Sequence, residues 1–153
     1  MKSKFILLVF AMDWLICLNI FGVNKSPAEL KFYALKTKVQ ELINTSEEII
    51  YLDSMLQLAQ STDSVYWECL TMSFMARNYY NRMMPDSLMY WANKVNTLAL
   101  QHKYYKIYFD TFSLVCSWEL CDKNYDSALD KTNQLYLLAK DLNDANGLIA
   151  SYE

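Results

Sequence analysis

The dipeptide Leu-Ala stands at 58–59, 98–99 and 138–139, at intervals of 40 residues. Asp86-Ser87 returns as Asp126-Ser127, Thr71 and Ser73 as Thr111 and Ser113, and Asn93 as Asn133. Apolar positions keep the same phase: Phe32, Met72 and Phe112; Leu35, Met75 and Val115; Ile49, Met89 and Leu129; Met55, Val95 and Leu135. A fixed period of this length marks stacked supersecondary units, none of which can bury its apolar face alone. It divides the chain into units at 24–63, 64–103 and 104–143, with a partial first helix of a fourth at 144–153.

Each unit reads as two helices. Ser26-Pro27-Ala28-Glu29 is a capping box with proline at the first helical position, followed by Phe32, Leu35, Val39 and Leu42 at helical spacing. Thr45-Ser46-Glu47-Glu48 reads as a second capping box, opening a helix that carries Ile49, Leu52, Met55, Leu56 and Ala59. In the second unit a helix over 64–82 stops before Met84-Pro85, because proline cannot continue a helix that needs its N–H. Its partner runs over 85–101. The third unit has helices near 103–121 and 125–142, broken by Asp122-Lys123-Asn124. Strand-like alternation is absent, so the expectation is all-α.

Composition removes several chemistries. The only glycines are Gly22 and Gly147, too few and too far apart for a phosphate-cradling loop or a dinucleotide fingerprint. The single histidine, His102, excludes multi-histidine metal sites and falls where a helix C-terminus favours it. Carboxylates such as Glu68, Asp110 and Glu119 occur singly, while Glu47, Glu48 and Asp122 read as turn or cap residues. No acid–base or nucleophile–base pair emerges, so the expectation is a non-enzyme with neither cofactor nor metal. Beyond residue 24 there are 12 Lys and Arg against 16 Asp and Glu, a net of −4, which argues against nucleic acid as a partner. The aromatic pairs Tyr79-Tyr80, Tyr90-Trp91 and Tyr104-Tyr105 point about 100° apart on a helix. They read as packing residues rather than flat stacking platforms.

Met1-Lys2-Ser3-Lys4 precedes an apolar run from Phe5 to Val23, in which twelve positions are Leu, Ile, Val or Phe. On a translocon scale these contribute roughly −4 to −7 kcal/mol against about +3 for Asp13. The run reads as an export signal, either cleaved near Gly22 or retained as an anchor. A lipoprotein signal at Cys17 is disfavoured, because Ile16 is not small. Contact with a membrane is expected only through residues 5–23, if they are retained. Cys69, Cys116 and Cys121 read as buried small hydrophobes, since Cys116 and Cys121 on one helix lie about 8 to 9 Å apart, too far for a disulfide.

Met75-Ala76 with Tyr79, followed by Asp86-Ser87-Leu88, resembles the tetratricopeptide (TPR) pattern of large, small and tyrosine residues before a turn. Val115-Cys116 followed by Tyr125-Asp126-Ser127-Ala128 resembles it again. Glu119 stands where the pattern has tyrosine, Leu88 where it has alanine, and the turn glycine is missing from both units. The resemblance implies a right-handed α-solenoid of antiparallel helix pairs, of an extended 40-residue type and truncated in the fourth repeat. Repeat packing falls to Leu35, Met75, Ala76, Tyr79, Leu98, Ala99, Val115, Cys116, Ala128, Leu138 and Ala139. It further implies a ligand groove lined by first helices, which register places at Tyr33, Thr37 and Gln40, at Ser73, Arg77, Tyr80 and Asn81, and at Asp110, Ser113, Ser117 and Leu120. Arg77 and Asn81, one turn apart, are the expected grip on a peptide carboxylate or backbone.

An export signal ahead of such repeats is similar to the periplasmic N-terminal sensor regions of bacterial two-component histidine kinases and related TPR regulators. The expected function is recognition of a protein or peptide by an exported or membrane-anchored periplasmic sensor fragment without its output domain. Two alternatives are a secreted carbohydrate-binding repeat protein and an assembly scaffold. The latter would self-associate through an uncapped C-terminal face around Leu148 and Ile149.

Overall fold

A computed structural model describes residues 25–152; the export signal at 5–23 and the lipidation candidate Cys17 lie outside the described residues. Seven helices follow one another: α1 (Pro27–Glu41), α2 (Glu48–Ser61), α3 (Val65–Asn81), α4 (Pro85–Gln101), α5 (Tyr105–Cys121), α6 (Tyr125–Asp141) and α7 (Ala145–Ala150). The described residues contain no strand, and none of their helices is long and apolar enough to cross a membrane. The chain falls into two units, Met1–Lys31 and Phe32–Glu153. Within the first, the Ser26 N–H donates to Glu29 Oε2 at 2.9 Å and the Glu29 N–H to Ser26 Oγ at 3.1 Å, closing the expected capping box.

Within Phe32–Glu153 the helix ends are set by one repeated turn. Asp63, Met83, Lys103, Lys123 and Asn143 all have positive φ, between 50° and 62°, and they stand 20 residues apart. At each, two hydrogen bonds close the preceding helix. At Lys103, for example, the Lys103 N–H donates to the Leu100 carbonyl and the Tyr104 N–H to the Ala99 carbonyl. This is the Schellman closure, which satisfies carbonyls the helix end would leave orphaned. Four helices of 17 residues, α3 to α6, alternate with these three-residue turns, so one hairpin plus its connections spans the period of 40.

Each helix from α2 onward packs on the next, and α3 also packs on α5, as α5 does on α7. The backbones of α2, α4 and α6 make no such approach to one another. The second unit is therefore an all-α helical-repeat solenoid, with first helices side by side along one face. Most of the in-phase residues share their environments, although Leu129 is 61% exposed where Ile49 and Met89 are half-buried. Met55, Val95 and Leu135 are buried, as are Ala59, Ala99 and Ala139, Thr71 and Thr111, and the pairs Met75-Ala76 and Val115-Cys116. Ala128 is buried too, while Leu35, Tyr79, Leu98 and Leu138 are half-buried against the core. Three apolar clusters run along the stack, and Trp91 packs against all of them.

Several expectations are corrected. The turn between α1 and α2 is longer than the others, with its left-handed residue at Asn44 and the helix beginning only at Glu48. The Thr45 hydroxyl donates backward to the Leu42 carbonyl instead of capping forward. Glu48 does serve the turn, but it is also 1% exposed, because it occupies the register position of Leu88 and Ala128. Its Oε2 accepts from the Asn44 N–H at 2.9 Å and from Asn78 Nδ2 at 2.8 Å, the partners a buried carboxylate requires. Cys121 is exposed, unlike Cys69 and Cys116. Tyr90 is exposed as well, with Lys94 Nζ 4.5 Å from its ring centroid. Leu148 packs against the core, while Ile149 on α7 and Tyr152 just beyond it are exposed.

Candidate functional site

Of the residues that register places on the first-helix face, Ser73, Arg77 and Asp110 come together between α3 and α5. A cavity of about 110 Å³ opens between the two helices, walled by Leu70, Phe74, Ile107 and Leu114, with Ser73, Arg77, Asp110 and Thr111 as its polar lining. Helical spacing accounts for this: Ser73 and Arg77 are one turn apart on α3, and Asp110 and Thr111 begin the facing turn of α5.

The charges are asymmetrically committed. Asp110 pairs on the rim with Lys106, Oδ2 to Nζ at 3.1 Å, both side chains more than half exposed. Arg77 stacks its guanidinium 4.9 Å from the Phe74 ring centroid, while its Nη2 is shielded from solvent with no hydrogen-bond partner. Thr111 is 1% exposed and its Oγ1 also lacks a partner. Its counterpart forty residues earlier, Thr71, donates to the Trp67 carbonyl at 2.7 Å. Ser73 Oγ donates to the Leu70 carbonyl and Ser113 Oγ to the Asp110 carbonyl.

Further along the same face, Tyr80 meets Trp118 edge-on at 6.4 Å, and its hydroxyl interacts with Cys121 and Ser117. Burial, and secondarily Cys121, pushes that phenol above its ordinary range. Leu120 is exposed. Asn81 serves elsewhere: its Nδ2 donates to Asn44 Oδ1 at 2.7 Å, and neighbouring Arg82 donates to the Thr45 carbonyl. These bonds fasten the long α1–α2 turn to the end of α3, so the expected Arg77–Asn81 grip is not what the structure assembles. Tyr33, Thr37 and Gln40 lie exposed on α1, with the Thr37 hydroxyl donating to the Tyr33 carbonyl; none lines the cavity.

Thr111 is the residue sequence reasoning passed over. Its identity with Thr71 was visible, but only the missing carbonyl bond distinguishes the two. A larger hollow of about 490 Å³, lined by Glu68, Met72, Asn93, Lys94, Thr97 and Leu98, lies between α3 and α4. It holds no unsatisfied buried polar atom among the described residues, so the smaller cleft is the stronger candidate. Among the described residues no cluster of three His, Cys, Asp or Glu is placed to hold a metal. Comparison with protein families, curated proteins and solved structures finds no match.

Proposed function

We propose that the chain is a non-catalytic recognition scaffold that binds a protein or peptide segment along its first-helix face, as the exported sensory part of a signalling protein. The observation that carries this reading is the α3–α5 cleft, where Ser73, Arg77 and Asp110 line a hollow with apolar walls. Binding sites of this kind are mostly apolar with a few convergent polar groups. Ligand wedged between adjacent first helices would alter their spacing, and neighbour-only contacts would pass the change along the stack. The resemblance to TPR sensor regions supports export to the periplasm.

The test is selection of peptides from a random display library on the full-length chain, repeated with Arg77→Glu and Tyr80→Ala. Peptides that bind the parent but neither variant are expected. Enrichment unaffected by both substitutions would remove the face from consideration. For the sensory role, intact relatives are expected to carry a membrane helix and an output domain after the repeats; relatives without them sink that part.

A further inference from the structure

We propose that the hollow between α3 and α4 is a binding site for a small aromatic amine, separate from the first-helix cleft and independent of the recognition reading. At about 100° per residue, Glu68 and Met72, which line the hollow, stand on the side of α3 opposite Leu70, Ser73, Phe74 and Arg77, which line the cleft. The volume of about 490 Å³ falls in the range of small-molecule sites, about 300–1,000 Å³.

Register shows what shape the space takes. Forty residues on, the positions of Glu68 and Met72 carry Tyr108 and Phe112. Those two rings lie 5.4 Å apart between centroids, tilted by 31°. Tyr108 is 7% exposed, and both rings belong to the apolar cluster that also holds Met72 and Val95. The third unit thus fills with its own rings the positions where the second unit has none. Met72 and Leu98 form the apolar bed of the hollow, and a methionine thioether makes favourable contacts with aromatic edges.

The polar lining sets the charge of the ligand. Among the described residues Glu68 makes no ion pair. Lys94 lines the same hollow but holds its ammonium 4.5 Å from the Tyr90 ring centroid and 5.4 Å from that of Trp91. The Thr97 hydroxyl donates to the Asn93 carbonyl at 2.9 Å, which leaves its oxygen as an acceptor. Glu68 and Thr97 therefore offer acceptors, and an alkylammonium brings three donors and no acceptor. The charge on Lys94 repels a cation from the α4 wall and leaves the ligand's ammonium to the Glu68 side.

The test uses the full-length chain with carbon-13 in its methionine methyl groups. Tryptamine, whose amine is protonated at neutral pH as a lysine is, is compared at constant ionic strength with tryptophol and indole-3-propionate. These replace the ammonium by a hydroxyl and a carboxylate. Equilibrium dialysis gives the affinities, and the Met72 methyl resonance, which a ring seated beside it shifts upfield, gives the location. The expected result is saturable tryptamine binding that moves the Met72 methyl. The other two compounds should bind about tenfold or more weaker, and Glu68→Gln should weaken tryptamine by a similar factor, as loss of a charge-assisted hydrogen bond implies. Met72→Phe, which installs the residue the third unit carries there, should close the hollow and abolish binding. Circular dichroism checks that both variants keep their helices. Should Met72→Phe lose them, Thr97→Phe at an exposed position of the lining takes its place as the blocking variant. Absence of saturable binding to the parent overturns the proposal, as does equal affinity for tryptamine and tryptophol. So does tryptamine binding that leaves the Met72 methyl unmoved, or that is undiminished by Glu68→Gln or by the folded blocking variant.

Discussion

Lys103 adopts a backbone conformation, φ 59°, that costs a side-chain-bearing residue about 1–2 kcal/mol. The turn tolerates it because two hydrogen bonds close the helix there. Lys103→Gly is therefore expected to stabilise the protein by about 0.5–1 kcal/mol, the relief of strain being partly offset by glycine's greater unfolded freedom. Asn143→Gly should gain less, since asparagine accepts this region more readily. Thermal melts of the two variants check the order. At the thiols, burial pushes Cys69 up to about 12 and raises Cys116 as well, while Cys121 is exposed. Of these three, a disulfide reagent at neutral pH should modify Cys121 alone until the protein is denatured, which peptide mapping would read out. Glu119 is held below the usual carboxylate range, chiefly by its hydrogen bond from Lys131. A depressed folded-state pKa gives stability that is present above the unfolded value of about 4.3 and is lost as pH falls through the folded value. Glu119→Gln should thus flatten the acid limb of a stability–pH curve, by about 0.5 kcal/mol at neutral pH.

At the scale of the helix, α7 approaches its neighbours closely at Gly147. A Cβ built on Gly147 would stand 2.5 Å from the Phe109 ring and 2.7 Å from Ala139 Cβ. The ring is fully buried and Ala139 has no freedom to retreat, so the methyl must push α7 away. Gly147→Ala should cost about 1–3 kcal/mol despite alanine's better helix propensity. It should release α7 first, as faster hydrogen exchange at residues 145–151. The glycine that looked incidental near the chain's end is the contact that lets a fourth first helix approach.

Over the whole of Phe32–Glu153, packing joins neighbours and next neighbours, and Trp91 alone touches all three clusters. Trp91→Ala is expected to destabilise the stack by about 3–5 kcal/mol. It should also split a single unfolding transition into separable steps, because repeat arrays lose cooperativity when an interface weakens. Calorimetry that still shows one sharp transition would contradict this.

The helices and their hydrophobic phase could be read directly from the chain, since a period of 40 with 3.6-residue spacing leaves apolar side chains one face to share. Ala99, Val115 and Ala139 could be placed in the core on that basis alone. The turns were legible only in position: without glycine, nothing in Met83 or Lys103 announces a left-handed backbone, which the closing hydrogen bonds impose. The cleft was half legible. Register brought Ser73, Arg77 and Asp110 to one face, because periodicity fixes direction. Periodicity carries no information about pairing, however, so the diversion of Asn81 to Asn44, the burial of Glu48 and the solitary hydroxyl of Thr111 emerged only once α3 had been brought beside α2 and α5. Side-chain direction is a local property of the helix, whereas the satisfaction of a polar atom depends on which groups from distant parts of the chain arrive beside it.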